Sequence, residues 1–278
     1  MQDFRYRGEL VKSRWYDHRM RRRCSLLLLF VAKVLGAVCA AIQILPTLDL
    51  LDQSTRAATT AAFRLQQSLH PMDLLNLVNP YLYHQRMFIE NGYQQVYGGL
   101  SATLLVVWTI LRWKRLGELR PLAACALALA AVGLVLTLGK YGLVYRWISM
   151  LPILESFRGP ARHGASFHVG WTLTAVVALT HLLQTRREGN DAAWRELRVL
   201  ALLPVLSAAL AILIAVIRLL PEVPSWLRDI EREFAPTWNP VFGAALMAVA
   251  FACFALAVRG HRSGMLVLIL FTIFDLSW

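Results

Sequence analysis

Long apolar runs recur along this chain, and the loops between them alternate in charge. A bilayer core needs about 20 apolar residues as helix. Runs of roughly that kind fall at Cys24–Leu45, Val96–Leu111, Leu122–Leu138, Gly164–Leu183, Val199–Leu220, Val241–Val258 and Met265–Phe274. Backbone groups in hydrocarbon must bond internally, so each run is expected to be a helix. None shows the polar/apolar alternation of a barrel strand. The expected fold is all-α: a polytopic transmembrane helical bundle of about seven spans. Hydrophobic residues make up 57% of the chain and charged residues 17%. Soluble domains run near ~45–50% and ~25%, so the balance points to lipid as solvent.

Loop charge orients the bundle. Residues 1–23 carry eight basic and three acidic residues. The loops near 112–120, 185–198 and 259–263 carry ten basic against four acidic. The other three, near 46–95, 140–163 and 218–239, carry ten basic against nine acidic. The positive-inside rule then predicts a cytoplasmic N-terminus, a basic cytoplasmic segment over 1–23 and a membrane domain over 24–278. The outer loops are 46–95, 140–163 and 221–239. Seven spans put the C-terminus outside the cytoplasm, emerging at Asp275. Trp108, Trp113, Trp147 and Trp171 lie near span ends, where belt residues are expected.

The net charge of +12 would suit nucleic acid. The basic residues instead lie in short loops between apolar runs, with no basic patch interleaved with aromatics, so nucleic acid is excluded as a partner and anionic headgroups are favoured. Cys24, Cys39, Cys125 and Cys253 form no CxxC and have no zinc-like spacing to His, so they read as packing residues. There is no GxSxG, Walker A or dinucleotide fingerprint.

The outer loops hold the polar features. Ser54–His70 is Ala-rich and predicts a helix capped by Ser54 or Thr55 and closed by Pro71. Asn79-Pro80 and Asn91-Gly92 signal turns. Leu143, Val144, Trp147, Ile148, Leu151 and Leu154 recur at helical spacing, which predicts a short interfacial helix. Beyond it lies Phe157-Arg158-Gly159-Pro160-Ala161-Arg162-His163. Arg158 and Arg162 around a Gly-Pro turn suit a phosphate, because guanidinium forks match its oxygens. Ordinary headgroup anchoring is the other reading. Asp49 and Asp52 share a helical face at i, i+3, which suits a divalent metal ion or a general base, or merely a cap. Glu90 is a further outer acid. Lys33, inside the first run, either marks a site or snorkels inward. His163 and His168 are five apart, which is not a metal-binding face.

The strings AAIQILPTLDLLDQSTR, SLHPMDLLNLVNPYLY, ENGYQQVYGGL and LTLGKYGLVYRWISMLPILESFRGPARH resemble, in order and spacing, the YfhO family of bacterial membrane proteins. The resemblance covers roughly residues 30–185. It implies a relative of the GT-C glycosyltransferases, which use a polyprenyl-phosphate-linked sugar on the outer membrane face for cell-envelope polymers. It also implies that Arg158 and Arg162 hold the lipid phosphate and that a carboxylate activates the acceptor hydroxyl. The acidic outer loop that carries this carboxylate in such enzymes is expected to be missing here, which leaves Asp49, Asp52 and Glu90 as weak candidates for the role. The first run here matches a middle span of the family, so the chain is expected to be a fragment, inactive alone, with a partner chain supplying the missing helices. The alternative is a non-enzymatic membrane component, such as a transporter subunit, an accessory protein or a degenerate remnant.

Overall fold

A computed structural model describes residues 30–36, 38–39, 60, 65–83, 96–150, 159–185, 193–220, 234–236, 238–260 and 262–276. Contacts divide the chain into two units, Met1–Thr59 and Thr60–Trp278. In the first, residues 30–36 are helical. Lys33 is exposed there, as are Phe30, Val31, Val34 and Leu35.

The second unit is built of helices α1 (Leu100–Leu111), α2 (Arg120–Thr137), α3 (Leu143–Ile148), α4 (Gly164–Thr185), α5 (Ala193–Leu200), α6 (Leu202–Leu219), α7 (Trp238–Val258) and α8 (Arg262–Leu276). The described residues contain no strand, only one isolated bridge between Tyr83 and Phe234. Four helical stretches are long and apolar enough to cross a membrane: Gly117–Thr137, Pro160–Gln184, Trp194–Leu219 and Trp238–Val258. Apolar side chains such as Leu122, Val132, Val176, Ile212 and Ile273 remain on the outside. This is the pattern of a multi-pass helical membrane protein, whose outer surface meets lipid.

The run at Val96–Leu111 does not become a full-length span. Helix begins only at Leu100, because Gly99 sits at φ +90° and interrupts it. Twelve residues rise about 18 Å, short of the ~30 Å core. α1 is instead the central helix of the unit: Leu100, Ser101, Leu104, Val106, Trp108 and Thr109 are all buried. It packs against α4, α7 and α8, with α5 near its C-terminal end.

The most extensive helix pair is α2 with α4. A Cβ placed on Gly170 would lie 2.5 Å from Ala126 O, and one on Gly133 would lie 2.4 Å from Phe167 N. Ala123, Ala126, Ala130 and Gly133 line this contact and are buried. Small residues let two backbones approach where no hydrophobic force separates lipid from helix. Gly264 does the same for α8 against α7, at 2.5 Å from Leu256 C.

Three sequence expectations are corrected. Trp108 is fully buried against Phe254 rather than in an interfacial belt. Asp275 is also buried, turned back onto the start of α1 rather than emerging into solvent. The predicted helix Ser54–His70 does not reach Pro71. Gln67 is at φ +60° and His70 is extended. Pro71 opens a 3-10 helix, Pro71–Leu77, rather than closing one. Proline is tolerated at a first helical position because the N–H it lacks would have no intrahelical partner there. The upstream part of the expected helix lies outside the described residues.

Candidate anion site at the loop-rich end

Segments 65–83, 139–150 and 159–163 gather at one end of the second unit. Residues 67–70 stitch them together. Leu69 N–H donates to Thr137 O at 3.0 Å, at the end of α2. Lys140 N–H donates to Ser68 Oγ at 2.8 Å. Ala161 N–H donates to Gln67 O at 3.1 Å. A Cβ on Gly139 would meet both Ser68 Oγ and Pro160 Cγ, so the turn after α2 abuts the turn before α4. Lys140 and Arg162 are thereby carried on adjoining turns.

Arg162 lies in the 3-10 turn Pro160–His163, which follows Gly159 in the left-handed region. Its side chain is exposed. A Cβ on Gly159 would sit 2.8 Å from Gln67 Oε1 and 3.5 Å from Arg162 Nε. Glycine is therefore needed twice over here, for its φ of +89° and for space. Aromatic rings line the same region. His70 meets Tyr141 edge-on at 4.8 Å, and Tyr145 meets His163 at 5.8 Å. Burial raises the Tyr145 hydroxyl pKa, and the Arg162 charge partly offsets this. Two exposed cations on adjoining turns, with aromatic rings beside them, are the elements an oxyanion site needs.

Behind this face lies a carboxyl that the sequence reading did not single out. Asp73 Oδ2 accepts from His70 N–H at 3.1 Å, and His70 Nδ1 accepts from Met72 N–H at 3.2 Å. This reciprocal capping box opens the 3-10 helix. Burial pushes the Asp73 carboxyl up to about 6, against the opposing hydrogen bond from His70. Burial and the Lys140 charge lower the His70 pKa. With three residues per 3-10 turn, Asp73 and Asn76 share one face of this helix, and both are buried. The one available signal was the string H-P-x-D, a histidine cap with proline at the first position.

The Asn79-Pro80 turn has a structural task. Asn79 Nδ2 donates to Pro240 O at 2.8 Å, and its Oδ1 accepts from Tyr81 N–H at 3.2 Å. Ala235 N–H donates to Leu82 O at 2.9 Å, Tyr83 stacks on Phe234 at 5.3 Å, and Arg218 Nη2 donates to Phe234 O at 2.9 Å. The first and last of the predicted outer loops are thus joined.

Of the predicted site residues, Arg162 is placed on this face, whereas Arg158, Asp49, Asp52 and Glu90 lie outside the described residues. His168 packs edge-on against Phe167. Of the helix predicted in the second outer loop, Leu151 and Leu154 lie outside the described residues, and Leu143–Ile148 forms as α3. Leu143 and Trp147 are exposed there, and Tyr145 is buried. Among the described residues no three His, Cys, Asp or Glu side chains are grouped to hold a metal ion. Cys39, Cys125 and Cys253 are free thiols. No family model matches the chain, and no curated protein and no solved structure matches it significantly.

Proposed function

We propose that this chain is a YfhO-like, GT-C-related membrane protein. On this reading its loop-rich end faces away from the cytoplasm and holds the phosphate of a polyprenyl-linked sugar. The observation that carries the reading is the adjoining placement of Lys140 and Arg162 by segment 67–70. A phosphate there receives an ammonium as a point charge and a guanidinium as a fork, the two complementary modes of oxyanion binding. Arg158 would complete the cluster. The exposed apolar side chains of α3, Leu143 and Trp147, suit a polyprenyl tail or the acyl region beside the headgroups.

If the chain also takes part in sugar transfer, a carboxylate must accept the acceptor hydroxyl proton as the lipid phosphate leaves. Asp49, Asp52 and Glu90 remain the sequence candidates for that role. Orientation rests on the excess of Arg and Lys in residues 1–23, 112–120 and 185–198.

The test is lipid capture. The purified chain is titrated in detergent with polyprenyl phosphate and analysed by native mass spectrometry. Replacing Lys140 and Arg162 together by Gln should weaken retention about tenfold or more, since ~1.4 kcal/mol is one decade and a charge-assisted bond contributes about that much. Adding Arg158→Gln should weaken it further. Unchanged retention in the triple variant would leave these residues as headgroup anchors.

A further inference from the structure

We infer that the opposite end of the second unit carries a site for the phosphodiester of an anionic lipid headgroup, built on Arg112 and covered by Glu196. This site is remote in sequence and position from the loop-rich end and does not rest on the reading above.

Arg112 follows α1 directly, and its side chain is 1% exposed. Its guanidinium lies over the Trp108 ring, 4.3 Å from the centroid. Arg112 Nε lies 3.6 Å from Glu196 Oε1, and Arg115 Nη1 lies 3.4 Å from the same oxygen. Charge-assisted pairs normally close to about 2.7–2.9 Å, so one carboxylate oxygen is shared loosely between two guanidiniums. Arg112 Nε, Arg112 Nη2 and Trp108 Nε1 are buried donors with no hydrogen-bond partner among the described residues. Glu196 Oε2 is likewise an unpartnered acceptor. Buried polar groups are rarely left unmatched. Three unpartnered donors against one unpartnered acceptor on these side chains call for a ligand rich in acceptor oxygens. Two guanidiniums against one carboxylate leave one positive charge, which a phosphodiester with its single negative charge neutralises.

The surroundings set the depth. Arg259 lies over Trp194 at 4.6 Å, and Arg120 lies over Trp113 at 5.5 Å. Trp194 is exposed, whereas Leu197 and Leu200 on the same helix are buried. α5 is therefore amphipathic, with an outward face carrying Trp194, Arg195 and Arg198. Paired Trp and Arg at the border of an apolar bundle belong at headgroup level. Glu196 is the most exposed member of the buried pair, at 14%, and marks the way in. Its carboxylate occupies loosely the place where the headgroup oxygens would bind, and so competes with them.

The experiment uses the full chain, stripped of lipid in detergent and followed by native mass spectrometry. It is titrated with phosphatidylglycerol, with phosphatidylcholine of the same acyl chains, and with inorganic phosphate. Wild type should retain phosphatidylglycerol over phosphatidylcholine. Glu196→Gln should raise phosphatidylglycerol occupancy about threefold or more, because it removes the competitor and leaves both guanidiniums unpaired. Arg112→Gln should lower it about tenfold. Arg115→Gln, at an exposed position, should lower it severalfold without risk to folding, and it decides the matter if Arg112→Gln misfolds. Equal retention of the two lipids would overturn the site. So would a Glu196→Gln variant that loses phosphatidylglycerol as the arginine variants do, since the cluster would then be a purely structural ion pair. Tight binding of inorganic phosphate that phosphatidylglycerol does not displace would overturn the headgroup assignment.

Discussion

The carboxylate of Asp275 accepts from the backbone N–H of Leu100 at 2.7 Å, across 175 positions of sequence. Its other oxygen accepts from the Tyr97 hydroxyl. α1 has no capping side chain of its own, because Gly99 holds that position. Asp275, from the last turn of α8, supplies the missing acceptor. Arg112 stands at the other end of α1. A negative group at the N-terminus and a positive group at the C-terminus each have the sign that favours the helix dipole. The central helix is therefore short, buried and bracketed by two charges that come from its neighbours and its own C-terminal cap.

Asp275→Ala should lower stability by about 1–2 kcal/mol, the usual range for a lost N-terminal cap. Tyr97→Phe should cost less. The two losses should be clearly less than additive in the double variant, because one hydrogen bond is common to both. Thermal unfolding in detergent, followed by size-exclusion chromatography, reads all three. Full additivity would show that the two groups act independently.

Gly243→Ala should destabilise strongly in the wild-type background. A Cβ there would lie 1.9 Å from Asn79 Oδ1, so the amide must leave its bond to Pro240 O. Asn79→Ala alone should cost about 1–3 kcal/mol for the buried polar groups it leaves unpaired. In the Asn79→Ala background the Gly243→Ala penalty should shrink to a small fraction. The same melting assay checks this, and an unchanged penalty would place the clash elsewhere.

The Asp73 carboxyl is raised from an ordinary value of 3.8 to about 6. The folded state therefore binds a proton that the unfolded state has released. Stability contributed by this group is full below about pH 4, declines as pH rises to about 6, and stays low above that. A shift of this size is worth on the order of 3 kcal/mol. His70 has the opposite sign, since its lowered value favours the neutral ring and costs stability as pH falls below 6.5. Comparing wild type with Asp73→Asn between pH 4 and 7 isolates the first effect. The difference in melting temperature between the two proteins should change with pH only over that window, in favour of the wild type at the acid end.

Topology is checked by labelling intact cells with an impermeant thiol reagent in a background lacking the four native cysteines. Gln85→Cys should label and Leu10→Cys should not. The reverse pattern would invert the bundle and would move the lipid-phosphate reading to the cytoplasmic face.

Fold class was legible in the chain because it follows from composition over windows of about 20 residues, and no long-range contact alters that. The helix at Leu143–Ile148 was legible for the same reason, since its apolar spacing is local. Arg162 was legible as a residue beside a Gly-Pro turn. Its adjoining partner Lys140 was not, because the two are joined through Ser68 and Gln67, which are distant in sequence. Asp73 went unmarked because nothing in its immediate sequence says that it is buried, and burial alone raises its pKa. Trp108 and Asp275 were misread for one shared reason. Position along a span gives depth in the membrane, but it cannot tell a side facing lipid or solvent from a side facing another helix. That choice belongs to the packing. It made α1 central, turned Trp108 inward under Arg112, and brought Asp275 from the far end of the chain to cap Leu100.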